Sequence, residues 1–141
     1  MGSIGFSFEW PGAGGVQHLT RLLGRARALE VMLSAEDYSA ELAERYGWIN
    51  RALPANELND FVSSLAHRIA KFPASGHALV KERVNAIGLP HADAIRRDSE
   101  LFMEGVNTHG FQERVKAAMK HGFQTREGEL NLVRMLGDLA V

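Results

Sequence analysis

A mainly α fold with one or two short strands is what this 141-residue chain predicts, and three observations predict it. Apolar residues recur three or four positions apart through most of the sequence, the spacing of one helix face. Glycine and proline break that rhythm at Gly24, Gly47, Pro73 and Gly88-Leu89-Pro90, cutting it into helix-sized pieces. Trp48 to Leu53 lies between Gly47 and Pro54 and reads as a strand, with Ile4, Phe6 and Phe8 a weaker second candidate.

The helices follow in order. From Gly14, Val16, Leu19, Leu22 and Leu23 share one face until Gly24 interrupts; Leu29, Met32 and Leu33 repeat the pattern from Arg25 to Ser34. Ser39 to Tyr46 forms a short helix with an i,i+4 pair, Glu41 and Arg45, and Gly47 as its stop. The clearest helix runs from Asn56 to Phe72, with Leu58, Phe61, Val62, Leu65 and Ile69 in a single stripe ended by Pro73. Val80, Val84 and Ile87 mark a helix from Ser75 to Ala86. Ile95, Leu101 and Phe102 mark one from His91 to Asn107, with Gly110 as punctuation. Two shorter helices, Phe111 to His121 and Thr125 to Leu136, complete the chain. The organisation is then an N-terminal arm at 1–10, a glycine-rich turn with helices and a strand at 11–53, and a helical region at 54–141.

Composition narrows the function. Hydrophobic residues at 45% and charged residues at 23% describe a chain that can bury a core without staples. The net charge is -1 with both signs interspersed, so there is no basic footprint for nucleic acid. No cysteine is present, which removes disulfides, thiolate metal sites and a cysteine nucleophile. No apolar run reaches the ~20 residues of a membrane span, and the first residues lack the pattern of a secretion signal, so the expectation is a cytoplasmic protein with no membrane partner. The histidines (His18, His67, His77, His91, His109 and His121) show no metal-ligand spacing, and no metal site is expected. Ser7, Ser34 and Ser39 lack a nucleophile elbow.

The most informative run is Pro11-Gly12-Ala13-Gly14-Gly15, which opens directly into a helix with unsatisfied first N–H groups. With its continuation through Ala35, the segment Ser39 to Pro54 and the later Val80-Lys81-Glu82-Arg83-Val84-Asn85, it resembles the enoyl-CoA hydratase/isomerase (crotonase) family over Pro11 to about Phe102. Specificity lies in the ordered series, in which the glycine run and its leucines are followed by Gly47-x-Ile49 and then Pro54. The resemblance implies the helical C-terminal part of a crotonase-like fold, whose earlier half is a stack of β-β-α turns. It implies acyl-CoA as substrate, no cofactor, and a homo-oligomer, a trimer in the family, held by the C-terminal helices.

In the family, two backbone N–H groups stabilise a thioester enolate and two glutamates position water and move protons. Both N–H donors and the first glutamate belong to segments before the glycine-rich turn, and nothing here matches them. The second glutamate stands seven residues before the Pro of the glycine run, where this chain has Ile4; Glu9 is close but out of register. The expectation is therefore no catalytic residue in this chain, which alone is a poor hydratase, with an N-terminal half missing or supplied separately. Gly12 matches the glycine beside the reacting end of the acyl group and Phe102 an aromatic that walls the acyl-CoA pocket; the plainer roles are a tight turn and a core phenylalanine. The family's later lysine that meets the CoA phosphates is not reproduced: Glu113-Arg114 and Lys120-His121 stand there, and Lys120 reads as a solvated surface side chain.

Phe102, Val106, Phe111, Phe123, Leu130, Val133 and Leu136 make the last three helices rich in apolar side chains for so short a chain. Either one ordinary core buries them or self-association does. A second function class stays open on that basis, a non-catalytic helical module for self-association or partner binding.

Overall fold

The computed structural model describes residues 14–139, and among these it forms nine α-helices and no strand. They are α1 (Gly15–Leu23), α2 (Arg25–Ser34), α3 (Ala40–Tyr46), α4 (Ala55–Ala70), α5 (Ala74–Gly88), α6 (Ala92–Val106), α7 (His109–Lys120), α8 (Arg126–Leu130) and α9 (Leu132–Leu139). None is long and apolar enough to cross a membrane.

The core gathers where α1 doubles back on α2. Gly24 joins them at φ 75°, ψ 166°, a backbone region essentially reserved for glycine, so one residue suffices to reverse the chain. Leu19, Leu23 and Val31 are buried together, and Met32, Tyr38, Tyr46 and Trp48 pack around them. On α2 the buried face is Ala28 and Val31, not the expected Leu29 and Leu33, which stay exposed. A turn this tight brings the two helices close, and alanine is the side chain that fits between them. Tyr38 lies edge-on to Trp48 with centroids 6.0 Å apart, and Tyr46 donates its hydroxyl to Glu30 Oε1 at 3.2 Å. Burial, then the Glu30 carboxylate, pushes the Tyr46 phenol above its ordinary pKa.

Capping sets most boundaries. The Ser39 hydroxyl accepts from the Leu42 N–H at 3.2 Å to start α3. Its end is the Gly47 stop expected from sequence, with Gly47 N–H bonded to the Glu44 carbonyl and Trp48 N–H to the Ala43 carbonyl. Glu41, expected to pair with Arg45, instead meets its own backbone N–H and the Ser39 hydroxyl, which lower its carboxyl pKa. Thr108, not Gly110, starts α7: its hydroxyl accepts from the Phe111 N–H at 3.3 Å, leaving Gly110 inside the first turn. The single helix expected from Thr125 to Leu136 is two, because the Asn131 amide side chain donates to the Glu127 carbonyl at 2.9 Å and stops α8.

The strand expected at Trp48 to Leu53 is also not formed. A strand needs a neighbour to complete its ladder, and none exists among the described residues. Trp48 is pinned by its ring, and the Ala52 N–H is satisfied by Glu44 Oε2 at 2.9 Å. The Ile4, Phe6, Phe8 candidate and the arm at 1–10 lie outside the described residues.

Beyond Pro54 the packing changes character. Neither α4 nor α5 buries a residue. The chain then returns through α6, which lies against α1 and α7, while α9 packs on α7 and α8. There the buried side chains are Asp98, Ala118 and Met135, and the phenylalanines Phe102, Phe111 and Phe123 are half-buried.

Candidate functional site

Gly14, at the head of α1, and α6, the helix that carries Phe102, are far apart in sequence and meet through the contact of α1 with α6. Gly14, the first described residue, precedes α1 in a left-handed conformation at φ 84° and brings no side chain to cap the helix. Ile95 of α6 covers it, 3.4 Å from where a Gly14 Cβ would stand. A bulkier side chain there would press on Ile95 as well as strain the backbone.

One turn along α1, Gln17 Nε2 donates to Asp98 Oδ1 at 3.3 Å, tying the helices across 81 residues of sequence. Arg21 orients that amide, donating to Gln17 Oε1 and to the Gln17 carbonyl, each at 2.9 Å. Asp98 is only 7% exposed, and its Oδ2 has no hydrogen-bond partner among the described residues. Ile95, Asp98 and Phe102 are spaced i, i+3 and i+7, so Phe102 shares the face of α6 that Gly14 and Gln17 meet. Gly12, Ile4 and Glu9 lie outside the described residues.

Sequence reasoning missed Asp98. The available signal was a carboxylate standing in the apolar stripe between Ile95 and Phe102, where a solvent-facing residue would be out of place. The half-exhausted hydrogen bonding of Asp98 makes Gln17 its principal support. Gln17→Ala is expected to lower stability by about 1–3 kcal/mol by leaving both carboxyl oxygens buried and unpaired. Adding Asp98→Ala is expected to recover part of that loss. Denaturant titration of the single and double variants checks it, and a double variant weaker than Gln17→Ala alone would contradict the pairing.

Farther along, Lys120 is exposed in the last turn of α7, as expected of a solvated lysine. Lys116 Nζ, at 2.8 Å, bonds Glu113 Oε1 and holds that carboxyl below its usual pKa. A cleft of about 420 Å³ opens between the end of α7 and the pair α8–α9, lined by His121, Glu127, Asn131, Arg134 and Asp138. No residue of α1 or α6 lines it. Among the described residues no group of three or more His, Asp or Glu side chains could hold a metal ion.

A glycine-led helix is clamped by a part-buried polar pair onto a multi-helix region, and this arrangement matches the helical C-terminal part of a crotonase-type fold. A family model described as enoyl-CoA hydratase/isomerase matches residues 4–125. The chain superposes, with a TM-score of 0.91 and 47% identity, on a crystal structure assigned as an enoyl-CoA hydratase from Streptomyces avermitilis, covering 96% of this chain and 49% of that one. It is 32% identical over 108 residues to a protein named as a mitochondrial enoyl-CoA hydratase in Dictyostelium discoideum, covering 76% of this chain and 39% of that protein. It is also 32% identical over 108 residues to a mitochondrial enoyl-CoA hydratase of Pongo abelii, covering 76% and 37%. This chain belongs to the enoyl-CoA hydratase/isomerase family, and it spans less than half the length of these curated relatives. The family match extends past the Pro11–Phe102 likeness at both ends, taking in Ile4 and the Glu113 to Lys120 stretch.

Proposed function

We propose that these residues supply the C-terminal wall of an acyl-CoA site, in which an enoyl-CoA thioester is hydrated or isomerised through an enolate. The observation that carries this reading is the α1–α6 clamp, which sets the helix of the glycine-rich run against the face of α6 bearing Phe102. Gly12 would lie beside the reacting end of the acyl group, and Phe102 would supply apolar surface to its chain. No cofactor is needed for such chemistry, since the thioester itself makes the α-carbon acidic.

Catalysis needs oxyanion donors and acids from outside these 141 residues. Each oxyanion donor contributes about 2.7–4 kcal/mol of transition-state stabilisation, and general acid–base groups about 10²–10⁴-fold in rate. Ile4 stands where the second glutamate would act, and its side chain carries no proton to transfer. The 141 residues by themselves are therefore a poor hydratase that can still hold part of the ligand.

Calorimetric titration with CoA and crotonyl-CoA tests this. Crotonyl-CoA is expected to bind more tightly than CoA, and Phe102→Ala to weaken it roughly tenfold, the loss of about 1.4 kcal/mol of apolar contact. Circular dichroism of the variant checks that the helices persist. No binding at millimolar ligand would overturn the reading.

A further inference from the structure

Among the described residues Asp98 is the only charged residue that is buried, at 7% exposed. A buried carboxylate is costly unless both oxygens are bonded, and Asp98 Oδ2 has no partner among the described residues. Replacing such a group with an apolar one often leaves a protein as stable or more so. Stability is therefore no reason for a carboxylate between Ile95 and Phe102 in the stripe of α6. Direction is what it does supply. A guanidinium can only donate, so the Gln17 amide turns its oxygen to Arg21, at 2.9 Å, and its nitrogen to Asp98 Oδ1, at 3.3 Å. Apolar contact, such as that of Leu19 and Leu23 in the core, is non-directional and tolerates a small rotation of α1 about its axis. A hydrogen bond weakens steeply as its angle opens, so this one fixes the rotation of α1 against α6.

We infer that Asp98 is a positioning residue for acyl recognition, acting through Gln17 to hold the glycine-led start of α1 in register with Phe102. This rests on the acyl-site reading above and names a residue behind that site's specificity. Asp98 touches no ligand itself, since its free oxygen is sealed from solvent. Its hydrogen bond lies one turn from Gly14, which opens α1 at φ 84° against Ile95, and Phe102 follows Asp98 by one turn of α6. Those two elements are the ones proposed to meet the acyl group, so their register governs the preference for an acyl-CoA over CoA. A side chain that lowers stability while aligning the parts of a site is the pattern expected of a functional group.

Calorimetric titration of the 141-residue chain with crotonyl-CoA and with CoA, together with urea unfolding, separates recognition from stability. Asp98→Ala is expected to lower the ratio of the two affinities about fivefold while unfolding at the same or a higher urea concentration. Gln17→Ala leaves the carboxylate wholly unpaired and is expected to lower the ratio to a similar extent while unfolding at lower urea. Asp98→Asn keeps an oxygen that accepts from Gln17 and is expected to hold the ratio within about twofold of the unaltered chain. A merely structural role would move recognition and stability together. The inference is overturned by a ratio that tracks the urea midpoint across the three variants, or by one that survives Asp98→Ala. Equal loss in Asp98→Asn would trace the effect to charge and overturns it too, as does an Asp98→Ala chain that fails to fold or unfolds at lower urea. An unaltered chain with no preference for crotonyl-CoA overturns the acyl-site reading and this inference with it, whereas a preference indifferent to Asp98 overturns this inference alone.

Discussion

Leu19→Ala is expected to lose about 2–5 kcal/mol of stability, the cost of removing a buried leucine and leaving a cavity. Leu19 is 4% exposed and sits at the centre of the α1–α2 reversal with Leu23 and Val31. Around it lie Met32 and the aromatic side chains Tyr38, Tyr46 and Trp48, whose rings are locked by contacts with one another. A cluster held on several sides cannot collapse to fill the space, which places the loss in the upper part of that range. Leu33, in the same apolar pattern of the sequence, is 79% exposed. Leu33→Ala is expected to change stability by less than about 0.5 kcal/mol. Urea titration of the two variants side by side checks both, and equal losses would mean that the core is not centred on the reversal.

Gly128→Ala is expected to be comparably damaging, at ~3 kcal/mol or more, for the opposite reason. A Cβ on Gly128 would overlap the carbonyl oxygen and carbon of Gly122, which are backbone atoms with no rotamer to turn aside. The corner they form is tightly bonded. Phe123 N–H bonds the Ala118 carbonyl at 3.0 Å, and the Thr125 hydroxyl donates to the Gly122 carbonyl at 2.6 Å while accepting from Gly128 N–H at 3.1 Å. Gly122 itself holds φ 92°, as the residue that ends α7 by reversal of the chain. Relief of the overlap therefore means opening the corner and releasing α8 and α9 from α7. Hydrogen exchange is expected to show lost protection at Phe123, Gly128 and Glu129 with α1–α2 unchanged. Gly137, inside α9, provides the contrast, since beyond its own helix backbone no atom of the described residues lies within 4 Å of its would-be Cβ: Gly137→Ala is expected to stabilise by roughly 0.5–1 kcal/mol. Loss of stability there would place α9 differently.

Helix existence was legible in the sequence because it rests on local chemistry. The breaks at Gly24, Gly47 and Pro73 act on the residues beside them, and the helices they separate stand where spacing puts them. Errors of boundary came from side chains that compete for backbone groups. Thr108 and Asn131 each satisfy main-chain groups at a helix end, and a single polar residue outweighed a continuing apolar pattern. Gly110 does not break the chain but occupies the first turn of α7. The strand at Trp48 to Leu53 failed for a different reason, since β structure is completed by a neighbour that no local pattern can supply.

The candidate site was legible in part. Phe102 was singled out through its likeness to the family, but the link that seats its helix, Gln17 to Asp98, was not. A hydrogen bond between residues 81 positions apart leaves no periodicity behind it; the only trace is an acid standing among apolar neighbours.

What the sequence by itself determined is the family, the succession of helices and their polar and apolar faces, all of which depend on residue order and short-range spacing. Which apolar face is buried was decided only in three dimensions. The stripes of α1 and α4 look alike on paper, yet Leu19 is sealed inside the reversal while Leu65 stands open. Spacing says that a face must be covered, but coverage is a property of where the neighbouring backbones run. Here the close approach at Gly24 supplies a neighbour to α1, while no residue of α4 is buried by the described residues.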